Sequence, residues 1–434
     1  MSRGAHKKTK WLLWSGLATV LVSPISSQAY AQVRGTVDIS AQGVVGSSPF
    51  LDDGEENGAV SARLQISPSV FYEGDETTSG ALRGNVGIDL YDGENGTPIN
   101  LGLSGGIQQL ISSRTTLSLN ASVRSTRSTV RDFLLNPTIP RETSANFNPA
   151  AEDTGSVISP QFGPGELLDL DPDLTETGGR GRTNSYQLGG AVSHALSSLD
   201  SLSLGASVRF NNSDDPAASN YRSNSITGSY GRKLSNRTGL NAGVSVVWAD
   251  YEGNSGPRRG NGTTIAPTVG ISHRFSETLN ANLNVGISIT DVEGPNGESE
   301  NNVGFAGSFS VCQLQYNGNL CGTASRGAQA TAFGGITSVT SAAVSYSRSL
   351  SLRDSVNVTA RYSHRGASLL PAQVGFDGSR SVFAASAGYD RKIAEQLFAF
   401  VSPSYAKTFG DVRSENRENY QISFGLRYRF GSTL

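Results

Sequence analysis

Every second residue from Tyr420 to Phe430 is apolar: Tyr420, Ile422, Phe424, Leu426, Tyr428 and Phe430. Gln421, Ser423, Gly425, Arg427 and Arg429 fill the intervening positions. A period of two puts the two sets on opposite faces of a β-strand. A face that is apolar throughout and ends in aromatics, backed by a face with two arginines, is unusual for a soluble sandwich. It suits a closed barrel with lipid outside and water inside. The pattern recurs. Leu202, Leu204, Ala206, Val208 and Phe210 oppose Ser203, Gly205, Ser207, Arg209 and Asn211. Leu279, Leu283, Val285, Ile287 and Ile289 oppose Asn280, Asn282, Asn284, Gly286 and Ser288.

Reading the alternation along the chain predicts strands near 33–46, 59–73, 81–92, 99–112, 115–126, 184–197, 202–213, 219–234, 238–252, 262–275, 279–292, 303–314, 319–329, 337–350, 355–366, 380–392, 396–409 and 419–430. That is an antiparallel transmembrane β-barrel of 18 strands. Sixteen is the alternative if the 303–329 hairpin is dropped. Short polar turns, such as Ser235–Arg237, Ser276–Thr278 and Ala394–Gln396, alternate with longer loops rich in Gly, Pro, Asn and Asp. Short periplasmic turns alternating with long outer loops is the outer-membrane arrangement, and an even strand count puts both termini in the periplasm.

The first residues agree with export. Lys7, Lys8 and Lys10 precede the apolar run Trp11–Val22, and Ala29-Tyr30-Ala31 forms a small-x-small site before Gln32. This reads as a signal peptide, residues 1–31, with cleavage between Ala31 and Gln32. The run is short of the roughly 20 apolar residues a spanning helix needs. Residues 32–434 then form the barrel, with no separate catalytic domain and no linker. Removing residues 1–31, which hold four cations and no acid, leaves 31 cations against 37 acids. That balance argues against nucleic acid as a partner. Abundant Gly, Ser, Asn and Thr leave no large soluble core. The expected location is the bacterial outer membrane, with outer-membrane lipid as the surrounding partner.

A barrel of about 16–18 strands leaves an aqueous channel. The phase opposite the apolar face carries Arg63, Arg83, Arg124, Arg209, Arg361, Arg427 and Arg429, with Asp89 as the clear acid. Guanidinium forks suit carboxylate, phosphate and sulfate, and rings of Arg bias a pore toward anions. These arginines can equally serve the wall as hydrogen-bonding or hydrated groups. Between them lie mostly Ser, Asn, Thr and Gly, a low-relief surface along which a sugar polymer or a small solute could slide. Phe71 is an isolated inward aromatic.

One connection, 137–183, is very long, with six prolines and eight acids against three arginines. It is expected on the outside, either as a gate folded into the lumen or as a surface loop. Asp169, Asp171 and Asp173 resemble the start of a calcium loop but lack its glycine and terminal glutamate, so no metal is expected. Cys312 and Cys321 flank a hairpin turn at Asn317-Gly318 and are expected to form a disulfide, which an exported chain permits. His194, His273 and His364 sit in no Ser/His/Asp arrangement. No enzyme activity and no cofactor is expected.

Residues 307–356 resemble the later part of a family of bacterial β-barrel porins found among exopolysaccharide-associated envelope proteins. The residues that carry the likeness are the paired cysteines, the FGG turn at Phe333–Gly335, the strand ending SYSRSLS and the LRDS turn at Leu352–Ser355. The aromatic near-terminus at Phe430 also resembles the signal read by the barrel-assembly machinery, with the short tail Gly431–Leu434 as a departure. The resemblance implies an outer-membrane channel exporting or passing polysaccharide, with periplasmic export components as partners. The sequence reading extends this to other anionic solutes. The alternatives are a general diffusion porin and a non-conducting structural or adhesion protein.

Overall fold

The computed structural model describes the chain outside residues 1–31, 48–58, 75–76, 92–96, 128–181, 215–219, 253–260, 294–298, 332–334, 369–378, 411–416 and 432–434. The signal peptide and its Ala31 lie outside the described residues, as do most of the long connection and Asp169, Asp171 and Asp173. Eighteen strands are present: β1 (Gln32–Gly46), β2 (Ala59–Glu73), β3 (Thr78–Tyr91), β4 (Ile99–Ser112), β5 (Thr115–Arg127), β6 (Arg182–Ala195), β7 (Asp200–Ser213), β8 (Asn220–Lys233) and β9 (Thr238–Glu252). They continue as β10 (Gly262–Arg274), β11 (Leu279–Glu293), β12 (Ser299–Gln315), β13 (Gly318–Thr331), β14 (Gly335–Ser349), β15 (Asp354–Ser368), β16 (Arg380–Lys392), β17 (Leu397–Gly410) and β18 (Arg417–Phe430). Each pairs antiparallel with its neighbours in sequence, and β1 pairs with β18, so the sheet closes. The 16-strand alternative is set aside, since β12 and β13 are both in the wall. Most boundaries shift by a few residues, and two shifts matter most. The sixth strand starts at Arg182, inside the stretch read as loop, and the twelfth starts at Ser299 rather than 303.

The closure has a defined register. Val37 through Gly46 pair with Phe430 through Gln421. Across this junction Arg429 donates from Nε to Asp38 Oδ1 at 2.8 Å and from Nη2 to Oδ2 at 3.1 Å. A bidentate guanidinium–carboxylate pair joins the first and last strands more specifically than backbone bonds alone.

Strand phase divides the side chains as the alternation demands. On β18 Ile422, Phe424 and Leu426 stand outward and half exposed, while Gln421 and Ser423 are buried inward. The same division passes from strand to strand through every register. Apolar side chains left on the outside of a closed sheet have only lipid to cover them, so the molecule is a transmembrane barrel of the outer-membrane type.

One end carries eight turns of two to four residues, the other the long loops. The short turns share a device. Ser197, Ser235, Ser276 and Ser351 each accept at Oγ from the two backbone N–H groups two and three residues on, at 3.0–3.3 Å. The serine hydroxyl thus satisfies amides that a tight turn would otherwise strand. On the outer face beside these turns, Tyr230 donates to Asp200 at 2.5 Å and Tyr389 to Asp354 at 2.6 Å. His194 and His273 bond Thr115 and Thr238, both at 2.9 Å. These half-polar rings form an interfacial girdle at the short-turn end.

Asp38→Ala deprives Arg429 of its carboxylate at the junction where the barrel closes. It should cost about 1.5–3 kcal/mol and lower the temperature at which the folded band converts to the unfolded one on gels. An unchanged transition would show that the β1–β18 backbone register holds the closure without the pair.

Candidate functional site: the lumen wall

The lumen is lined by one phase of each strand, and its chemistry is that of hydroxyls and amides. Wall hydroxyls bond one another between neighbouring strands: Ser203 with Ser229 at 2.6 Å, Ser207 with Ser225 at 2.7 Å and Ser325 with Ser341 at 2.9 Å. Small side chains satisfied within the wall leave a smooth surface.

The seven arginines of the sequence reading all lie on the lumen phase, but the wall treats them differently. Three are tied to carboxylates. Arg63 on β2 faces Asp89 on β3 at 3.6 Å, with both side chains almost fully buried. Arg427 reaches Asp390 of β16 at 3.1 Å. Arg429 holds Asp38, as above. Arg427 and Arg429 also lie over the ring of Phe398, 5.1 and 5.6 Å from its centroid. Arg83 lies 5.6 Å from the centroid of Phe71. A guanidinium over an aromatic face is held in place by the ring's negative π-cloud.

The remaining three have no carboxylate as a register partner. Arg124 on β5 is opposite Gly102 and Ser185. Arg209 on β7 is opposite Gln187 and Ser223. Arg361 on β15 is flanked by Ala343 and Ala384. The register partners of all three are small or uncharged. Among the described residues, no carboxylate pairs with Arg124 or Arg361.

Several lumen residues escaped the sequence reading. Asp38 and Asp390 add acids to Asp89. Phe398 and Phe400 share the inward phase of β17, so Phe71 is not the sole inward aromatic. Arg365 and Arg380, which are register partners, extend the arginines above Arg361. The phase rule would have found them, since Arg365 lies four residues beyond Arg361 on the same face.

Exposure inside the barrel falls toward the long-loop end. Along β11, Asn280 is exposed, Asn284 half-buried, and Ser288, Thr290 and Val292 buried. Part of the covering is the outer end of β13 and β14. Ile336 packs with Ala249 of β9 and Val292 of β11, and Ala328, Ala330 and Tyr251 pack against that cluster.

Cys312 and Cys321 are register partners and form a disulfide. Phe309 stands outward on β12, so the alternation turns Cys312 into the lumen, beside Asn280 of β11. His364 stays on the outer face, bonded to Ser381 at 2.9 Å.

No family model and no curated protein sequence matches the chain. Among solved structures it is similar to a BenF-like porin from Pseudomonas fluorescens Pf-5, at 10% identity over 92% of this chain and 99% of that one, with a TM-score of 0.45. The outer membrane protein opdK from Pseudomonas aeruginosa is 11% identical over 92% and 99%, with a TM-score of 0.43. The FrpB iron transporter from Neisseria meningitidis, as apoprotein, is 10% identical over 91% and 81%, also with a TM-score of 0.43.

The disulfide should protect both cysteines from alkylation until the protein is reduced. Free thiol in oxidised, folded protein would contradict it. Because the bridge spans only nine residues, reduction should cost at most about 2–3 kcal/mol and leave the barrel closed, as judged by gel mobility.

Proposed function

We propose that the barrel is a channel favouring anionic solutes. The observation that carries this reading is the position of Arg124 and Arg361. Both face the lumen, among small neutral neighbours, with no carboxylate of the described wall paired to them. An unpaired guanidinium on the wall of a low-dielectric pore raises the local concentration of anions. Hydroxyls and amides around them offer hydrogen bonds to the oxygens of sugar acids, carboxylates and phosphates. An acidic polysaccharide, met in extended form, belongs to the same chemical class, and polysaccharide passage is the finer form of the proposal. Neither enzymatic activity nor a cofactor is part of it. A non-conducting structural role is the competing reading.

Planar bilayers holding the purified mature protein should conduct, with an anion preference that weakens as salt screens the wall. Arg124→Gln with Arg361→Gln should bring the anion-to-cation permeability ratio toward unity without loss of folded protein. Arg63→Gln should act differently. It strips a fully buried Asp89 of its charge partner, so it should cost about 3–5 kcal/mol of stability with little effect on selectivity. Absence of conductance would sink the channel, and cation preference would spare the channel but discard the role of the arginines.

A further inference from the structure

The wall is not continuous between β12 and β13. Their pairing runs from Gln315–Gly318 up to Gly307–Arg326 and stops there. Above that point β12 continues in the wall, its residues 299–306 paired only with β11. The upper part of β13, from Gly327 to Thr331, is paired only with β14. The two strands part company.

The direction they take follows from phase. Ala324, Ala328 and Ala330 share the outward phase of β13, and Ile336 is the register partner of Ala330 on β14. Yet Ile336 packs with Ala249 and Val292, which face inward from β9 and β11, and Ala328 and Ala330 pack against that cluster. A Cβ added to Gly262, inward on β10, would collide with Ile336 Cδ1. A face in outward phase can touch the inner wall only if the hairpin end has turned into the barrel. The turn leaves the edge of β12 without its neighbour and puts an apolar slot behind it. Val303 and Phe305 stand 68% and 55% exposed beside that edge. At its foot Arg326 faces outward and is exposed, with no ion pair among the described residues.

Height places the slot in the outer leaflet. Arg326 is eight residues above Gly318, which at about 3.3 Å per residue and a tilt of about 40° is ~20 Å up an apolar band of about 25 Å. An open strand edge is costly against hydrocarbon, since its amides find no partner there. Something amphipathic is needed beside it.

We propose that the β12–β13 seam is a lateral portal for an anionic amphiphile, with a phosphate or carboxylate head and an alkyl chain. The head engages Arg326 at the foot of the slot. The chain lies along Val303 and Phe305 toward the apolar residues of the turned-in hairpin. The portal joins the lumen to the outer leaflet and does not depend on the charge preference of the axial pore.

The register supplies the test. Extending the pairing by one step would oppose Ala306 and Gly327, which share the lumen phase of the native bridge. The variant A306C/G327C can therefore zip the seam. Proteoliposomes of full-length mature protein are loaded with radiolabelled dodecyl phosphate, and its transfer to external albumin is followed beside that of neutral dodecyl maltoside. Oxidation of the variant should slow both amphiphiles at least about tenfold, because crossing lipid without a protein path exposes the polar head to hydrocarbon. Chloride conductance should stay within about twofold, since the axial pore is not the route. Reduction should restore transfer, with wild-type protein under the same reductant as control. Arg326→Gln should slow dodecyl phosphate about fivefold and leave dodecyl maltoside unchanged, as a charge-specific contact requires. Unchanged transfer in the oxidised variant would overturn the portal, and so would a parallel loss of chloride conductance. If the engineered pair fails to oxidise, Arg326→Gln decides: a selective loss for dodecyl phosphate supports the portal, and no loss overturns it. Failure of the anion-selective pore would appear only in the chloride measurement.

Discussion

A bilayer offers no water to an unpaired amide, and the rest of this structure depends on that constraint. A sheet crossing lipid must satisfy its backbone within itself, so it must close. Closure here is made by strands almost four hundred residues apart in sequence, β1 and β18. The final strand, with its aromatic outer face, therefore serves twice: it presents apolar surface to lipid and it supplies Arg427 and Arg429 to the inner wall. Those two arginines meet Asp390 of β16 and Asp38 of β1 and share the ring of Phe398. Charge, ring and backbone register converge on the place where the barrel closes.

The same rule sorts the remaining charges. Arginines near neighbouring carboxylates stabilise the wall, and Arg63 with Asp89 is the most buried instance. Arginines flanked by glycine, alanine and serine are left to face the lumen. Within one residue type, the acids carried by nearby strands decide which members are paired with a carboxylate. The β12–β13 seam is where the closing rule is relaxed. The lower half of the hairpin is paired and bridged by Cys312–Cys321. The upper half of β13 turns inward, and the connection there is only three residues, 332–334, the shortest at that end.

Much of this was legible beforehand. All eighteen strands follow from the alternation of apolar and polar residues, because in a single-layer wall each side chain has only two choices, lipid or lumen. The turn at Asn317-Gly318 and the spacing of the cysteines placed the disulfide. The lumen phase of the seven arginines followed from the same parity. The partners of those arginines did not follow. Asp390 and Arg427 are 37 positions apart and meet only because β16, β17 and β18 lie side by side in register. Parity can place Phe398 inward, but only the register of β17 with β18 sets it under Arg427 and Arg429.

The sequence by itself determined the class of fold, which face of each strand meets lipid, and the chemistry of the lining, and it left the strand count between sixteen and eighteen. These rest on periodicity, which is local. Tertiary structure alone decided which arginines are neutralised, how the outer half of the lumen is covered and where the wall parts. Each of those depends on the register between strands and on one hairpin packing across the barrel, and a period of two carries no information about either.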